Sequence, residues 1–481
     1  MSQSLQLHYS QVFLTSDCGV NGAEIYAKRR REFLQKLEHP CLIAGVRQAP
    51  GSSEAWYNQL ERRVQNPQML FLTGINQTQV YLWLDPRAEK NAQEILFLPK
   101  VDPHHEFWEG ARLGLYEKDS PQAQAHLQKL QALLGFNRME NSQDLWELLE
   151  NELLDTPTAS LYSFWEGNDE TPPRLTSLYF RKFRSELQSF LDEISGEIEL
   201  KNCHDLYYQS VLPLDSQRQS SVKEASAKTA RAFNKLLQKL PDFETENQLR
   251  GYLDYLLHSE SPDGLAFSTI VAGGANAEVL HYQKSDESLK DGELVPLDFG
   301  LRWGSVCTDI SRTLPINGKF DPLQKILYQI VLDTQEYFEN SVRGGILLKD
   351  LNEKAWNYLE ALLEERFLAL GGQAERLYPL RKQSFVAPHG ISHALGVEVH
   401  EGDILRTYQQ KPLNSGMIIS NEPGLYGKFT INIDGTVYSQ RLGIRIEDDL
   451  LITDSGCENL TRAMSKSIEA LEMQINHAKD I

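Results

Sequence analysis

The stretch Leu294-Val295-Pro296-Leu297-Asp298-Phe299-Gly300-Leu301-Arg302-Trp303-Gly304-Ser305-Val306-Cys307-Thr308-Asp309-Ile310 decides how this chain folds. An apolar run ends on Asp298, a turn follows over 302–305, and a second short β-type run carries Asp309. Strand, turn and strand predict a hairpin that brings both carboxylates to one face. A buried carboxylate is costly unless it is protonated, paired or bound to a metal. Two bland partners are at hand: turn amides for Asp298, and Arg312 for Asp309.

Working outward, three more acid or imidazole sites follow. His389, His393 and His400 lie in HGISHALGVEVHEG, where Gly390 and Gly396 break regular helix and predict a turn with a strand. Spacing alone leaves open which imidazole faces inward. Glu422 follows the apolar strand MIIS (417–420), and Pro423 holds it extended. Glu447 alternates with Ile444 and Ile446, so it shares a strand face with Arg445, and a surface ion pair is the competing reading. Asp298, Asp309, His393, Glu422 and Glu447 make four carboxylates and one imidazole. That oxygen-rich set suits Mn²⁺ or Mg²⁺ over thiolate-loving ions. Two such ions about 3.5–4 Å apart can generate a hydroxide and polarise a carbonyl. Hydrolysis is therefore the reaction class expected.

The rest of the chain is consistent with an enzyme of two domains. At 481 residues it exceeds one ordinary core, and the interruption near Pro213 predicts domains of 1–213 and 214–481. Forty-eight basic against 67 acidic residues give a net charge of −19, which argues against nucleic acid or an anionic membrane as partner. Five scattered cysteines (Cys18, Cys41, Cys203, Cys307, Cys457) without CxxC spacing predict reduced thiols. With no secretory signal and no apolar span of about 18 residues, a cytoplasmic protein is expected.

In the first half, CLIAGV (41–46), MLFLT (69–73), VYLWL (80–84) and EILFLP (94–99) read as strands, and 122–134 and 143–154 as helices. In the second, a long helix carries Val222, Ala225, Phe233 and Leu236, a second opens at Asp321-Pro322, and a third at Asp350 with Glu353 as a capping box. STIV (268–271) and GIRIEDDLLIT (443–453) read as further strands. The fold class is α+β, with helices covering one side of a curved sheet, behind a smaller α/β domain.

These residues also resemble a known family. AFSTIVAGGANAEVLHY (266–282), VPLDFG, TDISRTLPINGKF, HGISHALGVEVHEG, GMIISNEPGLY and LGIRIEDDLLIT occur in the order seen in the pita-bread creatinase/methionine-aminopeptidase superfamily, and look most like Xaa-Pro aminopeptidases and prolidases. They cover about residues 215–455, and LFLTG (70–74) and FWEGARLG (107–114) are compatible with the family's amino-terminal domain.

The resemblance implies two divalent cations, most often Mn²⁺, on Asp298, Asp309, His393, Glu422 and Glu447, with Asp309 and Glu447 bridging. It implies substrate and proton-transfer roles for His281, His389 and His400, proton shuttling by Glu422, and an orienting role for Arg445. The implied reaction is attack of a metal-bridging hydroxide on the bond before a proline in the second position of a peptide, in a homo-dimer or tetramer. A prolidase limited to Xaa-Pro dipeptides is the nearest alternative, and a catalytically silent peptide- or protein-binding relative the more distant one. Departures from the family pattern fall at Phe299, Glu401 and Asn66-Pro67-Gln68-Met69, and bear on the substrate pocket and on contacts from a neighbouring subunit.

Overall fold

The computed structural model describes residues 22–46, 65–165, 175–194, 197–375, 388–402 and 407–477. Its contacts divide the chain into units Met1–Val211 and Leu212–Ile481.

In the first unit, α1 (Gly22–Leu34), β1 (Cys41–Ala44), α2 (Pro67–Thr73), β2 (Tyr81–Leu84), β3 (Glu94–Leu98), α3 (Ala123–Leu134), β4 (Arg138–Asn141), α4 (Leu145–Asp155), β5 (Ser160–Ser163), α5 (Leu175–Ile194) and β6 (Glu199–Asn202) follow in order. The strands form one mixed sheet, β4-β3-β2-β1-β5-β6. Trp83, Phe97 and Leu42 lie in its core with Leu149 and Leu153 of α4. The expected strand MLFLT is instead the body of α2. Asn66 accepts the Met69 N–H at 2.8 Å, Pro67 fills the first turn, and Gly74 closes the helix at φ 71°. A five-residue apolar run has no period of its own, so the caps at both ends decide its form.

The second unit opens with α6 (Ser216–Leu237), capped by Asp215, and α7 (Glu246–Glu260). Then come β7 (Ile270–Val271), β8 (Leu294–Phe299), β9 (Arg302–Trp303), β10 (Val306–Cys307) and β11 (Ile310–Pro315). Helices α8 (Pro322–Ser341) and α9 (Leu348–Leu363) lead to β12 (Gln373–Glu375), β13 (Ala394–Leu395), β14 (Ile418–Asn421), β15 (Gly424–Ile433), β16 (Thr436–Arg445), β17 (Asp448–Ile452), β18 (Cys457–Asn459) and α10 (Ile468–His477). Asp321 and Gln324 cap α8 reciprocally, as its sequence predicts. The expected box at Asp350 is absent: α9 begins earlier, behind Leu347, with no side-chain cap.

The sheet expected as one curved surface is assembled from pieces ordered β11-β8-β7, β9-β10, β12-β15-β16 and β13-β14-β17-β18. Glu447 N–H to the Ser311 carbonyl, 3.0 Å, and Thr313 Oγ1 to the Arg445 carbonyl, 3.0 Å, join their edges. Helix α8 packs on β14, β15 and β16, α6 on β9 and β10, and α7 on β7. Two strands are shorter than their apolar runs suggest. STIV contributes only Ile270–Val271, and 443–453 splits into β16 and β17 in different sheets, with Glu447 at the break. No described helix is long and apolar enough to cross a membrane.

Candidate metal centre

The hairpin read from 294–310 is present. β8 and β11 pair antiparallel, Ser311 opposite Asp298 and Ile310 opposite Phe299, with the short β9–β10 turn between them. Gly300 sits so close to the Thr308 carbonyl that no Cβ would fit there.

Four of the five expected ligands stand one residue outside a strand. Asp309 precedes β11, His393 precedes β13, Glu422 follows β14 and Glu447 precedes β17, while Asp298 lies within β8. Strand pairing fixes their backbones. The Glu422 N–H bonds to the Ile391 carbonyl at 2.8 Å and the Ser420 N–H to the His393 carbonyl at 2.9 Å. As a result, ligand atoms of Asp298, Asp309 and Glu447 lie within 4.8 Å of one another, and so do those of His393, Glu422 and Glu447. Glu447 belongs to both groups, so the five residues close into two adjacent three-ligand sets. Asp309, His393 and His400 form a third on the same terms.

The histidines left open by spacing are now placed. His393 points inward: its Nε2 lies 3.4 Å from Asp309 Oδ2 and 3.5 Å from Glu422 Oε1. The His400 ring stacks on it at 4.0 Å. His389 Nδ1 is 2.7 Å from the Gly390 carbonyl, so that nitrogen carries the proton, and Nε2 accepts from the Tyr426 hydroxyl at 3.0 Å. His281 is exposed at the rim. Its proton affinity is lowered by partial burial, then by Arg445 and His400, against the pull of Asp309.

Arg445 bonds Asp298 Oδ2 at 2.6 Å, Ser311 Oγ at 2.7 Å and the Tyr426 hydroxyl at 3.5 Å. Arg312 is not the partner of Asp309. Its guanidinium bonds the buried Asp448 at 2.6 Å, because Asp309 and Arg312 stand three residues apart along an extended strand and face opposite ways. Phe299 stacks on Phe233 of α6, and Glu401 is buried, accepting the Glu398 N–H at 3.0 Å.

Ser311, Tyr426 and Asp449 were not singled out in the sequence. Ser311 Oγ donates to Glu447 Oε2 at 2.8 Å, and Asp449 Oδ2 accepts the Asp309 N–H at 3.2 Å. The signal for Ser311 and Asp449 was available: each stands two residues beyond an expected ligand, on the same strand face. For Tyr426 no periodic signal existed.

Carboxylates packed this closely are short of positive charge. Burial raises Glu422 to about 7, with His393 and Arg445 opposing it. Burial likewise raises Asp298 to about 6 against Arg445. Glu447 is held well above the usual range by burial, then by Asp309, Glu422 and Asp298. Burial alone would depress His393, but Asp309 and Glu422 lift it to about 9. Asp298 Oδ1 is buried with no hydrogen-bond partner among the described residues. A set of hard oxygen donors with one imidazole, an orphaned oxygen and excess acid fits divalent cations.

Comparison with known proteins agrees with this chemistry. Residues 220–454 match the model of metallopeptidase family M24, and residues 26–150 that of the aminopeptidase P N-terminal domain. The Xaa-Pro aminopeptidase of Escherichia coli (strain K12) is 27% identical over 447 residues, spanning 92% of this chain and 96% of that protein. A protein of Emericella nidulans named "Probable Xaa-Pro aminopeptidase AN0832" is 30% identical over 339 residues, 63% of this chain and 72% of its own. The solved proline aminopeptidase P II from Yersinia pestis superposes with a TM-score of 0.73 at 26% identity, covering 95% of this chain and 99% of that one. The second unit is thus a pita-bread domain.

Proposed function

Because this chain belongs to metallopeptidase family M24, we propose that it is a Xaa-Pro aminopeptidase, hydrolysing the bond before a proline in the second position of a peptide. The observation that carries the reading is the pair of three-ligand sets sharing Glu447. Asp298, Asp309, His393, Glu422 and Glu447 would hold two divalent cations, and their oxygen-rich donors favour Mn²⁺. When bound, such a pair supplies Lewis acidity toward the scissile carbonyl and makes a nearby water acidic.

The remaining work falls to side chains of this chain. Glu422 takes the proton of the attacking water and passes it to the leaving imino nitrogen. His389 is held neutral, at about 4, by burial and then by Arg445. Its Nδ1 lies 3.7 Å from Glu422 Oε2, but its one N–H is taken by the Gly390 carbonyl and its lone pair by Tyr426, so His400 is the imidazole we assign to donate toward the developing oxyanion. His281 and His400 line the rim, where they contact the peptide. Arg445 neutralises Asp298 and keeps its carboxylate turned into the centre. A prolyl amide has no N–H, so ring shape rather than amide recognition sets the choice of substrate. No disulfide joins the four described cysteines, which supports action in a reducing compartment such as the cytoplasm.

The test compares Mn²⁺-loaded protein with Glu422→Ala on an Xaa-Pro-Yaa tripeptide and an Xaa-Pro dipeptide. We expect tripeptide cleavage that EDTA abolishes and the substitution lowers by at least about 100-fold. Cleavage of the dipeptide alone would make the enzyme a prolidase. Cleavage indifferent to EDTA and to the substitution would refute the proposal.

A further inference from the structure

His281 sits on a segment with little regular structure of its own. Between β7 and β8 the chain makes one short 3-10 turn, Gly274–Glu278, and runs through Val279-Leu280-His281-Tyr282 before turning back at 285–288. Such a loop holds a side chain in place only if something fixes its backbone.

One buried carboxylate does so. Glu246, in the first turn of α7, has no exposed surface. Its Oε1 accepts the Gly273 N–H at 2.7 Å and Asn276 Nδ2 at 3.0 Å. Its Oε2 accepts the Tyr282 hydroxyl at 2.9 Å and the Glu287 N–H at 3.2 Å. The start, the middle, the neighbour of His281 and the end of the loop all converge on these two oxygens. An ionised carboxylate is an acceptor-only group with about four lone-pair sites, and it meets four donors here. Glutamine would turn its NH₂ against two of them.

Two further contacts close the loop from the other side. Glu278, buried, pairs with Arg441 of β16, and Gly443 lies so near the Ala277 carbonyl that no Cβ would fit between them. Tyr282 also packs with Ile270, Ala272 and Ala277.

We propose that Glu246 is a positioning residue for peptide hydrolysis: it holds loop 272–288, and through Tyr282 keeps His281 over the metal-ligand cluster. The proposal rests on the peptidase reading of the site. A residue that merely caps a helix would cost stability without acting through one histidine.

The experiment uses the full-length protein with Mn²⁺ and four variants: Glu246→Gln, Tyr282→Phe, His281→Ala and the double Glu246→Gln/His281→Ala. Displacing a reacting group by about 1 Å costs on the order of 100-fold. We therefore expect Glu246→Gln to lower kcat/KM on an Xaa-Pro peptide by about 10–100-fold, and Tyr282→Phe to lower it less. The double variant should be no worse than His281→Ala, since each change then removes the same contribution. Hydrogen exchange should quicken at amides 273 and 287 in Glu246→Gln and stay unchanged through β8, with Mn²⁺ binding as in the wild type. Additive losses in the double variant, or unchanged exchange at 273 and 287, would overturn the proposal. Should Glu246→Gln fail to fold, Tyr282→Phe is combined with His281→Ala and judged on additivity and on exchange at amides 281–283, since it leaves the Glu246 bonds to amides 273 and 287 in place. An inactive wild type would sink the peptidase reading alone, because exchange still decides whether Glu246 holds the loop.

Discussion

Replacing Arg312 with alanine should be among the most damaging changes available outside the ligand set. The side chain has no exposed surface, and neither has its partner Asp448. Its guanidinium makes five hydrogen bonds: to Ser465 O at 3.2 Å, Ser311 O at 3.0 Å, Glu447 O at 2.5 Å, Asp448 Oδ1 at 2.6 Å and Met464 O at 3.3 Å. Two of these carbonyls belong to Glu447 and to Ser311, which itself bonds the Glu447 carboxylate. Removing one partner of a buried pair costs about 3–5 kcal/mol, because the other charge is stranded. Asp448 keeps Lys466 at 2.6 Å, so the lower end applies. At about 2–4 °C per kcal/mol for a domain of this size, the melting temperature should fall by about 6–12 °C. Loosening the backbone behind a ligand should also weaken Mn²⁺ binding by about 10–100-fold. Thermal unfolding and metal titration of Arg312→Ala measure both. Arg312→Met combined with Asp448→Asn should recover part of the stability, since no charge is left unpaired. A melting temperature within 2 °C of wild type at about 1 kcal/mol would refute the reasoning.

Proton and metal should compete in the site. Glu422 at about 7 and Asp298 at about 6, against ordinary values of 4.5 and 3.8, hold protons more tightly folded than unfolded. Without added metal their contribution to stability is therefore full below about pH 4 and is lost as pH rises towards 7. His393, lifted to about 9 from 6.5, contributes below 6.5 and loses its contribution as pH rises through 9. Added Mn²⁺ should then raise the melting temperature more at about pH 8 than at about pH 5.5, and scanning calorimetry showing the reverse would contradict this. Tyr426→Phe removes the bonds to His389 and Arg445 and should lower kcat/KM by about 10–100-fold while costing about 1 kcal/mol, read by steady-state kinetics beside urea unfolding. Asp321→Ala deletes the cap of α8 and should cost about 1 kcal/mol in urea with activity retained.

Much of the site was legible because its parts are local. Asp298 and Asp309 flank one hairpin, readable from alternation, whereas the strand face expected to carry both Arg445 and Glu447 is broken between them, Arg445 ending β16 and Glu447 preceding β17 in another sheet. What alternation cannot give is the outcome of pairing between distant strands. The orientation of His393 over His389 depends on β13 meeting β14, and the partner of Arg312 lies 136 positions away at Asp448. The strand expected at MLFLT failed for a different reason: its apolar content overshadowed Asn66, Pro67 and Gly74, which together spell a helix. The split of 443–453 leaves no mark in the sequence, because an uninterrupted β-type composition does not show where one sheet hands over to another.

The placement of ligands just beyond strand ends has a consequence during synthesis. Asp298 leaves the ribosome well before Glu447, the residue common to two of the three-ligand groups. A nascent chain halted before β17 lacks that carboxylate, and with it both of those groups. Assembly of those two groups therefore waits for the last contributing strand to emerge, and before it only the Asp309, His393 and His400 group can form.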